Sequence, residues 1–380
     1  MKLSTERVLT THVGSLPRPP DVSDMLLARE DGTLADQGAF DACMARAVAD
    51  AVRQQVDAGV DIVSDGEMSK IGYSTYIKDR LHGFSGDSPR RVPADLALYP
   101  DYVQRIAAQG QTPKIKRAMC TGEIGIKDEA PLEKDLANMA AALQGAGAAE
   151  GFMNAASPGV ISVFQPNRHY PSEDAYLEAL AEVMRAEYEA IHAAGFVIQL
   201  DCPDLAMGRH TMYADESEEA FVAHAERQVE ALNAALATIP AEAARLHLCW
   251  GNYEGPHVCD IELGAIYDVV MKAKPQAISF EAANPRHAHE WSVFAERGVP
   301  EDKVLIPGVI DSVSNFVEHP ALVAERICRF ADIVGRERVL AGADCGFATF
   351  AGFGKIDPAI CYAKLRTLAE GAALASDRLW

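Results

Sequence analysis

The chain of 380 residues carries 55 acidic against 35 basic side chains, a formal charge of −20, with 49% hydrophobic and 24% charged residues. Such an acidic surface argues against nucleic acid or an anionic membrane as a partner, because most of it would repel a polyanion. The composition is globular rather than disordered, and the length suits two ordinary domains or one large α/β barrel.

In chain order, eight short runs rich in Val, Ile and Leu read as strands: RVLTTHVGS (7–15), VDIVSDGE (60–67), GFMNAAS (151–157), GFVIQLDCP (195–203), RLHLCWGN (245–252), QAISFEAANPR (276–286), KVLIPGVID (303–311) and RVLAGADCG (338–346). Longer stretches of helical period lie between them. In 174–195, Leu177, Leu180, Met184, Tyr188 and Ile191 recur at helical spacing before Gly195, and 319–335 opens at His319-Pro320 and stops at Gly335. Strand then helix, repeated eight times, predicts a single (β/α)8 TIM barrel over 1–380. The doubly wound alternative lacks a G-x-G-x-x-G after its first strand. Residues 84–150 break the alternation and read as an insertion after the second βα unit: a loop-like start, an extra strand within 116–131 and a helix from Leu132.

No run of eighteen apolar residues occurs, so no membrane span is expected. The N-terminus lacks the apolar core of a secretory signal. Eight cysteines without the regular spacing of a disulfide framework suit a reducing compartment, and a cytoplasmic location is expected.

On a barrel the C-terminal strand ends share one mouth, where such enzymes build their sites. Those ends carry Ser15, Asp65 with Glu67, Asp201, His247 with Cys249, Glu281, Asp311, and Asp344 with Cys345. Strand side chains two apart point the same way, so His247 and Cys249 form a clamp. With Glu281 and Cys345 they make up a ligand set suited to Zn2+, since thiolates with an imidazole favour zinc over magnesium or calcium. For His247, Cys249 and Cys345 alone, a packed core side chain is the plain alternative, whereas Glu281, if buried, must be paired or functional. Two thiolates and a carboxylate leave the zinc electron-rich, a poor activator of water and a good holder of a substrate thiolate. The chemistry so implied is alkylation of a thiol.

The stretches TTHVGSLPRP, SDGEMSK, IQLDCPDL, HLCWGN, SFEAANPR, GVID and GADCGF fall in the order and spacing of the catalytic half of cobalamin-independent methionine synthase, and the chain resembles that family over nearly its whole length. The resemblance implies a (β/α)8 barrel whose zinc activates homocysteine for methylation. It places the zinc ligands on His247, Cys249, Glu281 and Cys345, and the amino-acid-binding residues on Ser15, Glu67 and Asp201. Asp311 and Glu67 are the expected catalytic carboxylates. Val313 stands where the family has a proton-donating His, and Phe164 and Gln165 stand in the region of its folate-stacking Trp.

The expected function is therefore zinc-dependent methyl transfer to homocysteine or a related thiol, with a small-molecule thiol and alkyl donor as partners. Epoxide opening by coenzyme M, as in the related epoxyalkane:coenzyme M transferases, is an alternative; a zinc hydrolase and a non-catalytic binding protein are others. Lys70, Tyr73, His287 and His289 read most simply as surface residues or neighbours of the site.

Overall fold

The computed structural model describes residues 1–89, 91–108, 116–354 and 356–380. Its strands are β1 (Ile62–Ser64), β2 (Leu81–Ser85), β3 (Met119–Ile126), β4 (Glu150–Ala156), β5 (Val197–Asp201), β6 (Ala244–Leu248), β7 (Ala277–Phe280), β8 (Val304–Ile310) and β9 (Gly342–Ala343). Seven form one curled parallel sheet in the order β1-β4-β5-β6-β7-β8-β9, each inside or overlapping a predicted run. The first run, 7–15, forms no regular strand, yet its backbone bonds to both ends of the sheet. Ile62 N donates to Thr10 O (3.0 Å), Thr11 N to Ala341 O (2.8 Å), and Ala341 N to Leu9 O (2.9 Å).

The sheet carries a small apolar cluster of Leu9, Ile62, Phe152, Val197, Ala277, Val304, Ile306 and Leu340, separate from the main core. The larger core lies between the sheet and the helices that follow its strands. Helix 173–193 shows why these segments fold as they do. Ser172 caps it by accepting from Ala175 N, and Tyr176, Leu180, Met184, Tyr188 and Ile191 are buried along one stripe. Gly195 then takes a φ of +87° that a side chain would disfavour. The second expected helix is found at Pro320–Val334. Among the described residues no helix is long and apolar enough to cross a membrane.

The expected insertion, 84–150, contains more structure than a loop, a strand and a helix. β2 and β3 pair as a two-stranded antiparallel sheet. The stretch read as loop-like contains helices Ala94–Ala97 and Pro100–Ala108. Pro93 precedes the first and Pro100 opens the second, where a missing N–H costs nothing; the loop-like reading missed both. Residues 90 and 109–115 of the expected insertion lie outside the described residues. Buried Arg80 pins helix 130–143 to helix 173–193 through Asp135 (2.5 Å) and Glu187 (2.9 Å).

Candidate functional site

The parallel register brings the chemistry to one rim. Asp201, the last residue of β5, lies beside His247 of β6, which lies beside Ser279 of β7. Cys249 follows β6 directly, Glu281 follows β7, and Cys345 lies two residues past β9. One layer down from His247 on the same face is Arg245, fully buried and held by three hydrogen bonds: Nε donates to Gln199 Oε1 (2.8 Å), and the terminal nitrogens to Thr11 Oγ1 (2.9 Å) and His12 O (2.7 Å).

The ligand atoms of His247, Cys249 and Cys345 lie within 4.8 Å of one another, with the two sulfurs 3.6 Å apart. Burial, helped by the charge of Arg245, pushes the His247 pKa down to about 3, so its ring is neutral. Neither ring nitrogen makes a hydrogen bond of normal geometry. Glu281 adjoins the trio but is turned towards its neighbours, Oε1 accepting from Trp250 N (2.8 Å) and Oε2 from Asn284 Nδ2 (2.7 Å). Asp344 orders that segment by accepting from the amides of Ala282, Ala283 and Asn284, each at 2.8 Å.

By themselves these acids hold their protons. The hydrogen bond with Cys345, then burial, raises the Cys249 pKa well above its ordinary value; burial and then the Cys249 charge do the same for Glu281. For Cys345 the hydrogen bond with Cys249 favours the thiolate, but burial and the charge of Glu281 outweigh it. A soft cation would let all three ionise, and a neutral buried imidazole with unengaged nitrogens is the donor such a cation takes. The donor set fits zinc.

A second group lies on the neighbouring strand ends. Glu67 is 2% exposed, has a φ of +56° and leaves Oε2 without a partner. Asp201 is held by Gln199 Nε2 (2.9 Å) and Asn154 Nδ2 (3.1 Å). Burial raises both, Glu67 to about 8 and Asp201 to about 6, with Asp201 adding to the rise of Glu67 and Lys70 opposing both. Ser15 reaches the thiol trio through Gly346, since a Cβ there would sit 2.0 Å from Ser15 Oγ. Tyr73 is the aromatic neighbour: its ring meets Phe164 edge-on (5.5 Å) and Phe350 at a tilt (5.7 Å), and the Cys249 and Cys345 charges help raise its phenol.

Asp311 is placed differently. Its carboxylate turns back on its own loop, accepting from Val313 N (2.8 Å) and Ser314 N (3.1 Å). Lys70 is not a surface residue: it is 3% exposed, donates to Asn154 O (2.6 Å) and lies 4.6 Å over the Tyr76 ring. His287 is likewise buried, whereas His289 is exposed. Asn154 and Gln199 went unread in the sequence. Their signal was a polar residue inside an apolar run, two before Asp201 in the case of Gln199, hence on its face.

Known proteins resemble this chain in sequence and in fold. The family profile described as "Cobalamin-independent synthase, Catalytic domain" matches residues 8–167 and 159–356. A 5-methyltetrahydropteroyltriglutamate–homocysteine methyltransferase of Nitratidesulfovibrio vulgaris is 27% identical over 90% of this chain, which spans only 39% of that enzyme. A methionine synthase of Thermococcus kodakarensis is 25% identical over 96% of the chain and 92% of its own length. In fold, the chain is similar to a B12-independent methionine synthase from a Shewanella species, with a TM-score of 0.72 at 18% identity, covering 98% of this chain and 99% of that one. With its profile matched across both halves of the sheet and the thiol-bearing rim, the chain belongs to the cobalamin-independent synthase family, through that family's catalytic domain.

Proposed function

We propose that this protein methylates a small thiol, homocysteine being the acceptor the pocket suits best, at a zinc centre held by His247, Cys249, Glu281 and Cys345. The observation that carries the reading is the buried pair of thiols 3.6 Å apart beside an imidazole with two unengaged nitrogens. The names of the curated relatives, methionine synthase and homocysteine methyltransferase, support it. When bound, zinc supplies a Lewis acid that keeps a substrate sulfur ionised at neutral pH, where a free thiol of pKa ~8.5 is mostly protonated.

The protein's own groups do the rest. Glu67 and Asp201 offer two carboxylates to one ammonium group, and the arriving charge shifts both towards their ionised forms. Lys70 and Arg18 offset part of the charge of that pair, and Ser15 bounds the pocket beside Cys345. Glu67, whose Oε2 is without a partner, is the carboxylate assigned to proton handling, whereas the Asp311 carboxylate is engaged by its own loop. The acceptor sulfur attacks the donor's methyl carbon in line: the new S–C bond forms as the donor's bond to that carbon breaks, its electron pair leaving with the donor. The same reading takes the chain as a single closed (β/α)8 barrel, with 9–11 completing the ring, acting in the cytoplasm on small molecules.

Zinc K-edge X-ray absorption on the purified protein, alone and with homocysteine or coenzyme M, tests the assignment. A gain of one sulfur neighbour at the thiol-site zinc, from two to three there, is expected with homocysteine alone. The same rise with coenzyme M alone would move the acceptor to that thiol, and zinc with no change for either would overturn thiol activation.

A further inference from the structure

Behind Trp250 lies a second buried cluster that the proposed methyl transfer does not use. Asp260, whose side chain is fully buried, is met by three imidazoles: His257 Nδ1 at 2.8 Å and His287 Nε2 at 2.9 Å on one oxygen, and His210 Nδ1 at 2.9 Å on the other. The ligand atoms of His257, Asp260 and His287 lie within 4.8 Å of one another. Each of those two rings has its outer nitrogen on an acceptor. His257 Nε2 faces Tyr253 O (3.0 Å), and His287 Nδ1 faces Glu290 Oε2 (2.9 Å). That is how metal-bound histidines are held: the outer N–H donates to a carbonyl or carboxylate and fixes the inner nitrogen as the ligand. His210 has a side chain with no exposure, and neither of its nitrogens makes a hydrogen bond of normal geometry, although Nδ1 is aimed at Asp260.

We propose that His257, His287 and Asp260 form a second, structural site for a divalent transition cation, zinc foremost, with His210 set against the other oxygen of Asp260. Two imidazoles and one carboxylate suit such a cation and are poorly matched to magnesium or calcium, which take oxygen ligands. As a hydrogen-bond network alone the cluster would need full imidazolium on both His257 and His287. One divalent cation replaces those two protons at equal charge and engages both rings. The position suits a staple. His257 and Asp260 lie on the loop after β6, His287 on the loop after β7 and His210 on the loop after β5. His287 stacks on Trp250 at 4.2 Å, whose backbone N–H holds Glu281. His257 also adopts a φ of +54°, and its amide donates to Asp95 of helix 94–97 (2.9 Å).

The test uses the full chain with Cys249→Ser and Cys345→Ser combined, which disables the thiol site whether or not the proposed chemistry is right. Loaded with Zn2+ and dialysed against metal-free buffer, this variant is expected to retain one zinc per chain by mass spectrometric metal analysis. Retention of none overturns the site. Loaded with Co2+, it should show ligand-field bands without thiolate-to-cobalt charge transfer, and strong charge-transfer bands would assign the cation to other cysteines and overturn the proposal. Glu290→Gln in the same background should weaken Zn2+ binding roughly 10- to 100-fold, as removal of an outer partner does; unchanged affinity counts against it.

Discussion

Replacing Glu67 with Gln keeps the shape of the side chain and removes its charge, and the structure says which way stability should move. Burial, then repulsion from Asp201, lifts the folded-state pKa from an ordinary 4.5 to about 8, with Lys70 and Arg18 offsetting part of the rise. Because the folded value is raised, the unfolded chain gives up this proton first. The stabilisation carried by the protonated carboxyl is complete below about pH 4.5 and is lost as the pH climbs to about 8. At about 1.4 kcal/mol for each tenfold change in proton affinity, the loss has a ceiling of about 5 kcal/mol. An unfolding entropy of about 2 cal/mol/K per residue, or about 0.8 kcal/mol/K for this chain, turns that ceiling into ~6 °C. Scanning calorimetry of Glu67→Gln and the parent protein should therefore give matching transitions near pH 4.5 and a variant melting up to ~6 °C higher at pH 8.5. The same variant should bind homocysteine more weakly, since one of two ammonium-facing carboxylates is gone. A variant that melts lower than the parent at pH 8.5 would refute the reasoning and make Glu67 an ion-paired anchor of the fold.

Three further outcomes are expected. Cys345→Ser should lose the zinc of the thiol site, one equivalent per chain, together with methyl transfer, read by metal analysis and by product formation; a variant with undiminished zinc and full activity would remove Cys345 from the ligand set. Arg245→Met removes the donor from Gln199 Oε1, His12 O and Thr11 Oγ1, of which Thr11 keeps its own bond to Ile62 O. At roughly 1–3 kcal/mol for each buried group left unpaired, urea unfolding should report a loss of several kcal/mol. Gly346→Ala drives a methyl into Ser15 Oγ, which stands 2.0 Å from the new atom, and a displacement near 1 Å at the pocket wall should cost up to ~100-fold in kcat/KM with little change in zinc content.

Local pattern made much of this legible. A strand's side chains alternate, so His247 and Cys249 were readable as a pair from two letters of spacing, and a run of apolar residues ending in Asp201 or Glu281 located a strand end without any knowledge of its neighbours. Helices 173–193 and 320–334 were readable because their apolar stripe, capping residue and terminal glycine all lie within one segment. The short helices after Pro93 and Pro100 were not, since the same proline serves a loop or a first helical turn and only packing separates the two.

Burial of polar side chains is where the letters ran out. Lys70 and His287 look like surface residues in sequence; the fold buries both because their partners, Asn154 O and Tyr76 for one, Asp260 and Glu290 for the other, come from elsewhere in the chain or complete a cluster drawn from several loops. Residue types and spacing by themselves determined which chemistry this protein carries: soft ligands, paired carboxylates and the order of strand ends that bear them. The tertiary structure alone decided which of those groups meet, because a ligand set spread over nearly a hundred residues becomes a site only when parallel register aligns the strand ends, and a pKa moves only when neighbours exclude water.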